Sequence, residues 1–500
     1  MTTSPADAPA RPSPDPARPS PAPGPKGIRL LSTLLKVRDD PMGTFRRVHQ
    51  EYGDVVRLDT GVPGVRPRLY LVCSAEGAHE VLATQAANFR KDNVMYDVIR
   101  ESMGNGLLTS QDDEYLRQRR LIQPLFTRRR VDGYADAACA EAEALAGRWS
   151  TAPDATVDLT TEMPGFALST LCRILFGADG RAALAVMSRC LPVLVDYTLE
   201  RGNSPLRLPR HWPTPRNRRA AEARRGLYAL CDEIIAERRE GRGRAGTAAS
   251  TGAGTGASTG AGGSAAAEGD GEDLLSLLIA ASGENGDALG FAELRDQVLI
   301  FLVAGHETTA TGLAIALHLL ATHPEAQARA REQVDRVLAG RRPDAADLDR
   351  LPYLTMVLKE AMRIQSPVPF VSRRAVADTV IDGQPVPAGA DVMVCGAVAQ
   401  YNPEHWPDPA RFDPERFTPE REAERPRYAW FPFGGGSRAC IGRHFSMLES
   451  VLCLAVLLQR YEVDPAGPPV ELGNTVTLKE NGPLRVRLRA RTPHPAPRNG

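Results

Sequence analysis

The chain has 500 residues with 61 basic and 61 acidic side chains, a formal net charge of zero that gives no electrostatic footprint for nucleic acid. Apolar residues make up 42%, ordinary for a globular chain. Eight cysteines are scattered at 73, 139, 172, 190, 231, 395, 440 and 453 without a C-x-x-C pair, which argues against a disulfide framework and a zinc site and fits a reducing cytoplasm.

In chain order, residues 1–28 are proline-rich, lack the apolar core of a signal peptide and read as a disordered tail. "DVVRLDT" (54–60) and "PRLYLVCS" (67–74) predict an early hairpin. Apolar residues at three and four spacing predict helices over 134–149, 167–177, 292–323 and 324–340, the last opened by Pro324. Between the charged helical stretch 224–240 and "DLLSLLIAA", residues 246–272 hold only small and polar side chains with a few acids. They read as a flexible insertion between two helices, with a domain linker as the alternative. "DTVIDGQPVPAGADVMVCG" (378–396) predicts a second hairpin, and 491–500 a short C-terminal tail. No run approaches ~18 unbroken apolar residues: "VLIFLVAG" ends at His306 and Glu307, so no membrane anchor is expected. The fold class is mostly α (α+β), one helix-rich domain over 29–490 with a small β region.

The stretch "FPFGGGSRACIGRHF" (431–445) sets Cys440 behind Gly434, Gly435, Gly436 and Arg438, with Gly442 and an apolar helix after it. Glycines let the backbone take positive φ and approach another body closely. A nearby arginine and a helix N-terminus favour the thiolate, the form that ligates metal. A glycine turn with a buried cysteine is the bland alternative. The whole pattern F-x-x-G-x-R-x-C-x-G resembles the haem-binding loop of the cytochrome P450 family, matched by Phe433, Gly436, Arg438, Cys440 and Gly442. The resemblance implies a haem b with Cys440 as its axial iron ligand and Arg438 on a propionate. Phe433 is then expected to pack on the sulfur, with Gly434, Gly442 and Ala304 also beside the cofactor.

A second constellation is "FLVAGHETTATGL" (301–313). Ala304 and Thr308 are four apart and share a helix face, with Phe301 one turn earlier. A small residue, an acid and a hydroxyl predict an oxygen-sized notch with a proton source; a packing helix with a satisfied threonine is the alternative. The resemblance extends here, since Ala304, Gly305, Glu307 and Thr308 match the family's A-G-x-[DE]-T. It implies that Thr308 stabilises dioxygen at the haem and Glu307 delivers protons. His306 holds the variable position and is not read as a ligand.

"KEAMRIQSP" (359–367) spaces Glu360 and Arg363 for an ion pair, and "RFDPERF" supplies Arg416. In the family these three form a buried scaffold, so their expected role is structural. Arg373, with Arg374 beside it, and Arg119 fit further propionate contacts. Tyr115 stands where the family usually has tryptophan. The family's pocket positions fall on Phe301, Ala304, Val368, Phe370, Val371 and Val476, an apolar set, while Arg90 and Arg100 lie in a loop able to face either way.

The resemblance thus implies a cytoplasmic, monomeric haem-thiolate monooxygenase that inserts one atom of O2 into an apolar small molecule. NAD(P)H is used indirectly, through a ferredoxin and a ferredoxin reductase. The expected substrate is a terpenoid of secondary metabolism. A fatty-acid or polyketide hydroxylase, a peroxide-using haem-thiolate enzyme and a non-catalytic haem protein are the alternatives.

Overall fold

The computed structural model describes residues 21–59, 68–151, 155–177, 180–203, 209–251, 274–281, 289–473 and 482–491. Helices dominate them. Strands β1 (Val55–Leu58), β2 (Leu69–Val72), β3 (Phe89–Arg90), β5 (Val371–Ala375) and β8 (Asp391–Val394) form one sheet in the order β1-β2-β8-β5-β3. A second sheet joins β4 (Thr156–Asp158), β10 (Arg485–Ala490) and β9 (Tyr461–Pro465), and β6 (Thr379–Ile381) pairs with β7 (Gln384–Val386).

The early hairpin forms as expected, with Val55 opposite Val72, although 60–67 lies outside the described residues. The second differs from expectation. Asp382 and Gly383, both at positive φ, turn β6 into β7, as Asp-Gly turns do. A second turn at Pro387–Ala390 then sends β8 into the large sheet, parallel to β2 and antiparallel to β5.

One helix, Phe291–Thr322, spans 32 residues, about 48 Å at 1.5 Å per residue. It is long and apolar enough to cross a bilayer, but most of it is buried, as befits the central element of a core. It packs against Leu159–Leu171, Pro352–Ile364 and Arg443–Arg460. Gly305 earns its place there: a Cβ would stand 3.0 Å from Leu171 Cδ1, so glycine lets the two helices approach.

Three boundaries differ from the sequence reading. The tail expected over 1–28 ends earlier, because Ala22 is buried in a core cluster and the Pro23 carbonyl accepts from Arg57 N at 2.8 Å. Its last residues start the helix Gly27–Asp39. The helix from Pro215 continues to Thr251, taking in the first residues of the 246–272 stretch, whose remainder lies outside the described residues. At the C-terminus, Arg491 pairs with Asp335 at 2.5 Å and belongs to the folded body.

Candidate active site

Seven of the eight cysteines are buried; Cys440 alone is exposed. Its loop is held open by three glycines with distinct tasks. Gly434 and Gly436 take φ of +67° and +62°. A Cβ on Gly435 would strike the Tyr428 ring, and one on Gly436 would fall 1.8 Å from the Leu82 carbonyl oxygen. The Cys440 amide donates to the Phe433 carbonyl at 2.8 Å, and the helix Arg443–Arg460 begins just beyond. The Phe433 ring packs edge-on to Trp430. Although the sulfur opens to the surface, the protein packed closely around the rest of Cys440 pushes its thiol up, and three features oppose it: the Gly442 amide hydrogen bond and the charges of Arg119 and Arg443. A metal or a further cation at the sulfur would tip the balance to thiolate.

The helix Asp112–Ile122 clamps this loop from the side. The Tyr115 hydroxyl donates to the Ser437 carbonyl at 2.7 Å, and one turn on Arg119 Nη1 donates to the Ala439 carbonyl at 3.0 Å. The Arg438 guanidinium lies 3.3 Å over the Tyr115 ring. Tyrosine here therefore does two jobs, hydrogen bonding through its tip and stacking through its face.

A group of cations converges beside the loop. Lys91 and Arg373 are 7% and 6% exposed, and Arg438 is half-buried. Lys91 Nζ donates to the Leu108 carbonyl at 2.7 Å and faces the Tyr96 ring. Arg373 donates to the Ser372 carbonyl, with the Tyr96 hydroxyl at 3.5 Å, and Arg438 donates to the Ser110 carbonyl at 2.8 Å. Among the described residues none of the three has a carboxylate within ion-pair distance. Burial lowers Lys91 well below its ordinary value, with Arg373 and Arg438 adding to the effect. Burial likewise lowers Arg438 to about 10. Buried charges are ordinarily paired, so this cluster lacks an anion. Arg374 is different: it is engaged by Asp391 at 3.0 Å. Lys91 and Tyr96 carry no sequence motif and were not foreseen.

The helix Phe291–Thr322 packs on the helix that follows Cys440. Phe301 is buried against Phe126, whereas Ala304 is exposed in the middle of a largely buried helix. Thr308 Oγ1 donates to the Ala304 carbonyl at 2.7 Å, and both the threonine and Glu307 are half-buried. His306 is buried and bonds the Leu302 carbonyl through Nδ1. Thr309 Oγ1 and Ser446 Oγ lie 3.0 Å apart, which ties this helix to the one that follows Cys440. Beneath them Glu449 is fully buried. Burial drives its carboxyl well above the usual range, against a smaller opposing effect of Thr309.

Of the apolar wall, Val368 is exposed, Phe370 and Val371 are half-buried, and Val476 lies outside the described residues. Arg90 is ion-paired with Asp112 and Arg100 with Asp97, so both loop arginines are committed to acids. The scaffold trio forms with full burial of its centre. Arg363 meets Glu360 at 2.6 and 2.8 Å, Arg416 Nε stands 3.3 Å from Glu360, and Asp413 N donates to the same carboxylate. A separate cavity of about 640 Å³, near His318, Tyr401 and Phe412, is lined by none of the candidate site residues.

A haem fits this arrangement. Its two propionates would supply the negative charge that Lys91, Arg373 and Arg438 lack. Cys440, the exposed thiol, would hold its iron.

Comparison with known proteins agrees. The family model of cytochrome P450 matches residues 22–485. The chain is 34% identical over 417 residues to a cyclooctat-9-en-7-ol 5-monooxygenase of Streptomyces melanosporofaciens, covering 83% of each chain. It is 33% identical over 448 residues to a pentalenene oxygenase of Streptomyces avermitilis, covering 88% of this chain and 91% of that one. The crystal structure of the haem domain of cytochrome P450DA superposes with a TM-score of 0.77 at 28% identity, over 95% of this chain and 99% of that one. With a helix-rich fold, a cysteine opening onto a cleft of unmatched cations, and these relatives, the chain belongs to the cytochrome P450 family and is a monooxygenase.

Proposed function

We propose that this enzyme oxygenates a neutral terpenoid of secondary metabolism, with Cys440 as the haem ligand and Lys91, Arg373 and Arg438 holding the propionates. When bound, the haem supplies the redox chemistry, and a thiolate ligand gives it the electron density that favours O–O cleavage. The chain's own residues orient the reactants and handle protons. Tyr115 and Arg119 fix the loop carbonyls and hence the sulfur. Thr308 presents a hydroxyl at the notch over Ala304, with Glu307 beside it as the proton source. Val368, Phe370 and Val371 line the apolar side and exclude water. Electrons come from a separate ferredoxin and its reductase in the cytoplasm.

The observation that carries the cofactor assignment is the pairing of an exposed cysteine with unmatched buried cations. Cys440→Ala is expected to abolish turnover and remove the thiolate-type absorption of the reduced carbon monoxide complex; retention of that absorption would refute the assignment. For the substrate, two of the relatives are named for oxygenation of cyclooctat-9-en-7-ol and of pentalenene, and Arg90 and Arg100, able to anchor a carboxylate, are both engaged by acids. A panel of cyclic terpenes and long-chain fatty acids, scored by haem spin shift and product, tests it. Coupled turnover of a fatty acid with none for any terpene would overturn the substrate class and leave the monooxygenase intact.

A further inference from the structure

The helix Gly27–Asp39 has two apolar sides. Leu30 and Val37 are half-buried against the cluster that holds Met42, Phe45 and Val48. Ile28, Leu31 and Leu35 recur at i, i+3 and i+7 on the other side and are 86%, 60% and 63% exposed. A surface helix ordinarily turns polar residues to water, and one that is apolar on both sides is normally covered. Residues 1–20 cannot supply that cover, because they contain no leucine, isoleucine, valine or aromatic residue.

Charge identifies the partner. Between 26 and 39 stand Lys26, Arg29, Lys36 and Arg38 against the single acid Asp39. Lys36 and Arg29 are exposed along one edge of the aliphatic stripe, with Arg29 also reaching Glu51 at 3.3 Å. Aliphatic side chains flanked by lysine and arginine are the pattern of a helix lying in a lipid headgroup layer. The apolar groups enter the acyl boundary, while the long basic stems reach lipid phosphates. A second copy of the chain is a poorer match. From Ile28 to Leu35 the stripe is roughly 11 Å long by helix rise, and a patch of that size falls well short of the ~800 Å² per partner of a stable interface.

We propose that this helix docks the enzyme reversibly on an anionic lipid surface, with Ile28, Leu31 and Leu35 inserted and Lys36 and Arg29 at the phosphates. No spanning segment is involved, and a single short helix gives weak, salt-sensitive attachment.

Flotation of the full-length haem-loaded enzyme tests it, using vesicles of phosphatidylcholine alone and of phosphatidylcholine mixed with phosphatidylglycerol. The expected result is flotation with the anionic vesicles, weaker flotation with the neutral ones, and loss at high salt. The double variant Leu31→Glu/Leu35→Glu should lower the vesicle-bound fraction at least tenfold with its haem spectrum and melting temperature unchanged. Lys36→Glu should weaken binding to the anionic vesicles alone. Three outcomes overturn the proposal: no flotation with either vesicle, flotation that the double variant does not disturb, or a dimer in solution that the double variant dissociates.

Discussion

Two clusters of buried charge sit in this molecule, and they differ in one respect. Around Glu360 the charges are matched from within: a carboxylate with 0% exposure meets Arg363, also at 0%, while Arg416 and the Asp413 amide complete its shell. Around Lys91, Arg373 and Arg438 the cations gather with carbonyls and aromatic rings but, among the described residues, without an acid. A matched cluster is complete when the chain has folded. An unmatched one is complete only when something else arrives. The contrast marks the first cluster as self-sufficient scaffold and the second as the place we propose an anionic group binds, on electrostatic grounds alone.

Breaking the matched cluster should have the largest effect. Arg363→Met leaves Glu360 buried beside one remaining arginine, and losing one partner of a buried pair costs about 3–5 kcal/mol. The expected outcome is little soluble protein and a large fall in the urea midpoint of what remains; a midpoint within error of the parent would show that Arg416 alone suffices. The unmatched cluster should respond in the opposite sense. In Lys91→Met/Arg438→Leu the haem-free protein should melt at the same temperature or higher, because two uncompensated charges are gone. Haem occupancy should fall steeply, since each lost hydrogen bond to a charged group is worth about 1.5–3 kcal/mol. Haem titration followed by thermal melts of both forms measures the two signs separately, and equal losses in both forms would erase the distinction.

The smallest expected effect sharpens the contrast at Glu449, a buried acid outside both clusters. Its folded carboxyl is raised. At low pH the folded and unfolded states both hold the proton. As pH rises through the ordinary carboxylate range the unfolded chain releases it and the folded one keeps it, so stability declines with rising pH until the folded carboxyl also ionises. Glu449→Gln should remove that decline, visible as a flatter melting temperature from pH 5 to 8. Parallel curves for parent and variant would mean the group ionises normally.

The parts legible in sequence were those in which chemistry forces neighbouring positions to cooperate. The cysteine loop needs its glycines within a few residues, because Gly434 and Gly436 must take positive φ and Gly436 must admit the Leu82 carbonyl. The Ala304–Thr308 face needs one helical turn. Lys91 was invisible for the converse reason: its burial comes from chain brought in near Leu108 and Arg373, and no local pattern marks it. Arg373 and Arg374 could not be ranked either. Adjacent strand residues face opposite sides, and only the register against β8 reveals that Asp391 takes Arg374. The order in residues 21–28 escaped because its signal is one small buried side chain, Ala22, and one carbonyl, Pro23.

The clamp on the cysteine loop also sets a schedule. Tyr115 waits for Ser437, 322 positions later, and Arg438 closes on Ser110 across 328. During synthesis at about 5–20 residues per second, the first half of the cleft therefore spends tens of seconds without its second half. Contacts of such long separation are slow to form and come after local helices are in place. The clamp on the cysteine loop cannot close until residues 437–440 have been made, and the strand pairing of Arg485–Arg487 with Thr156–Asp158 closes later still.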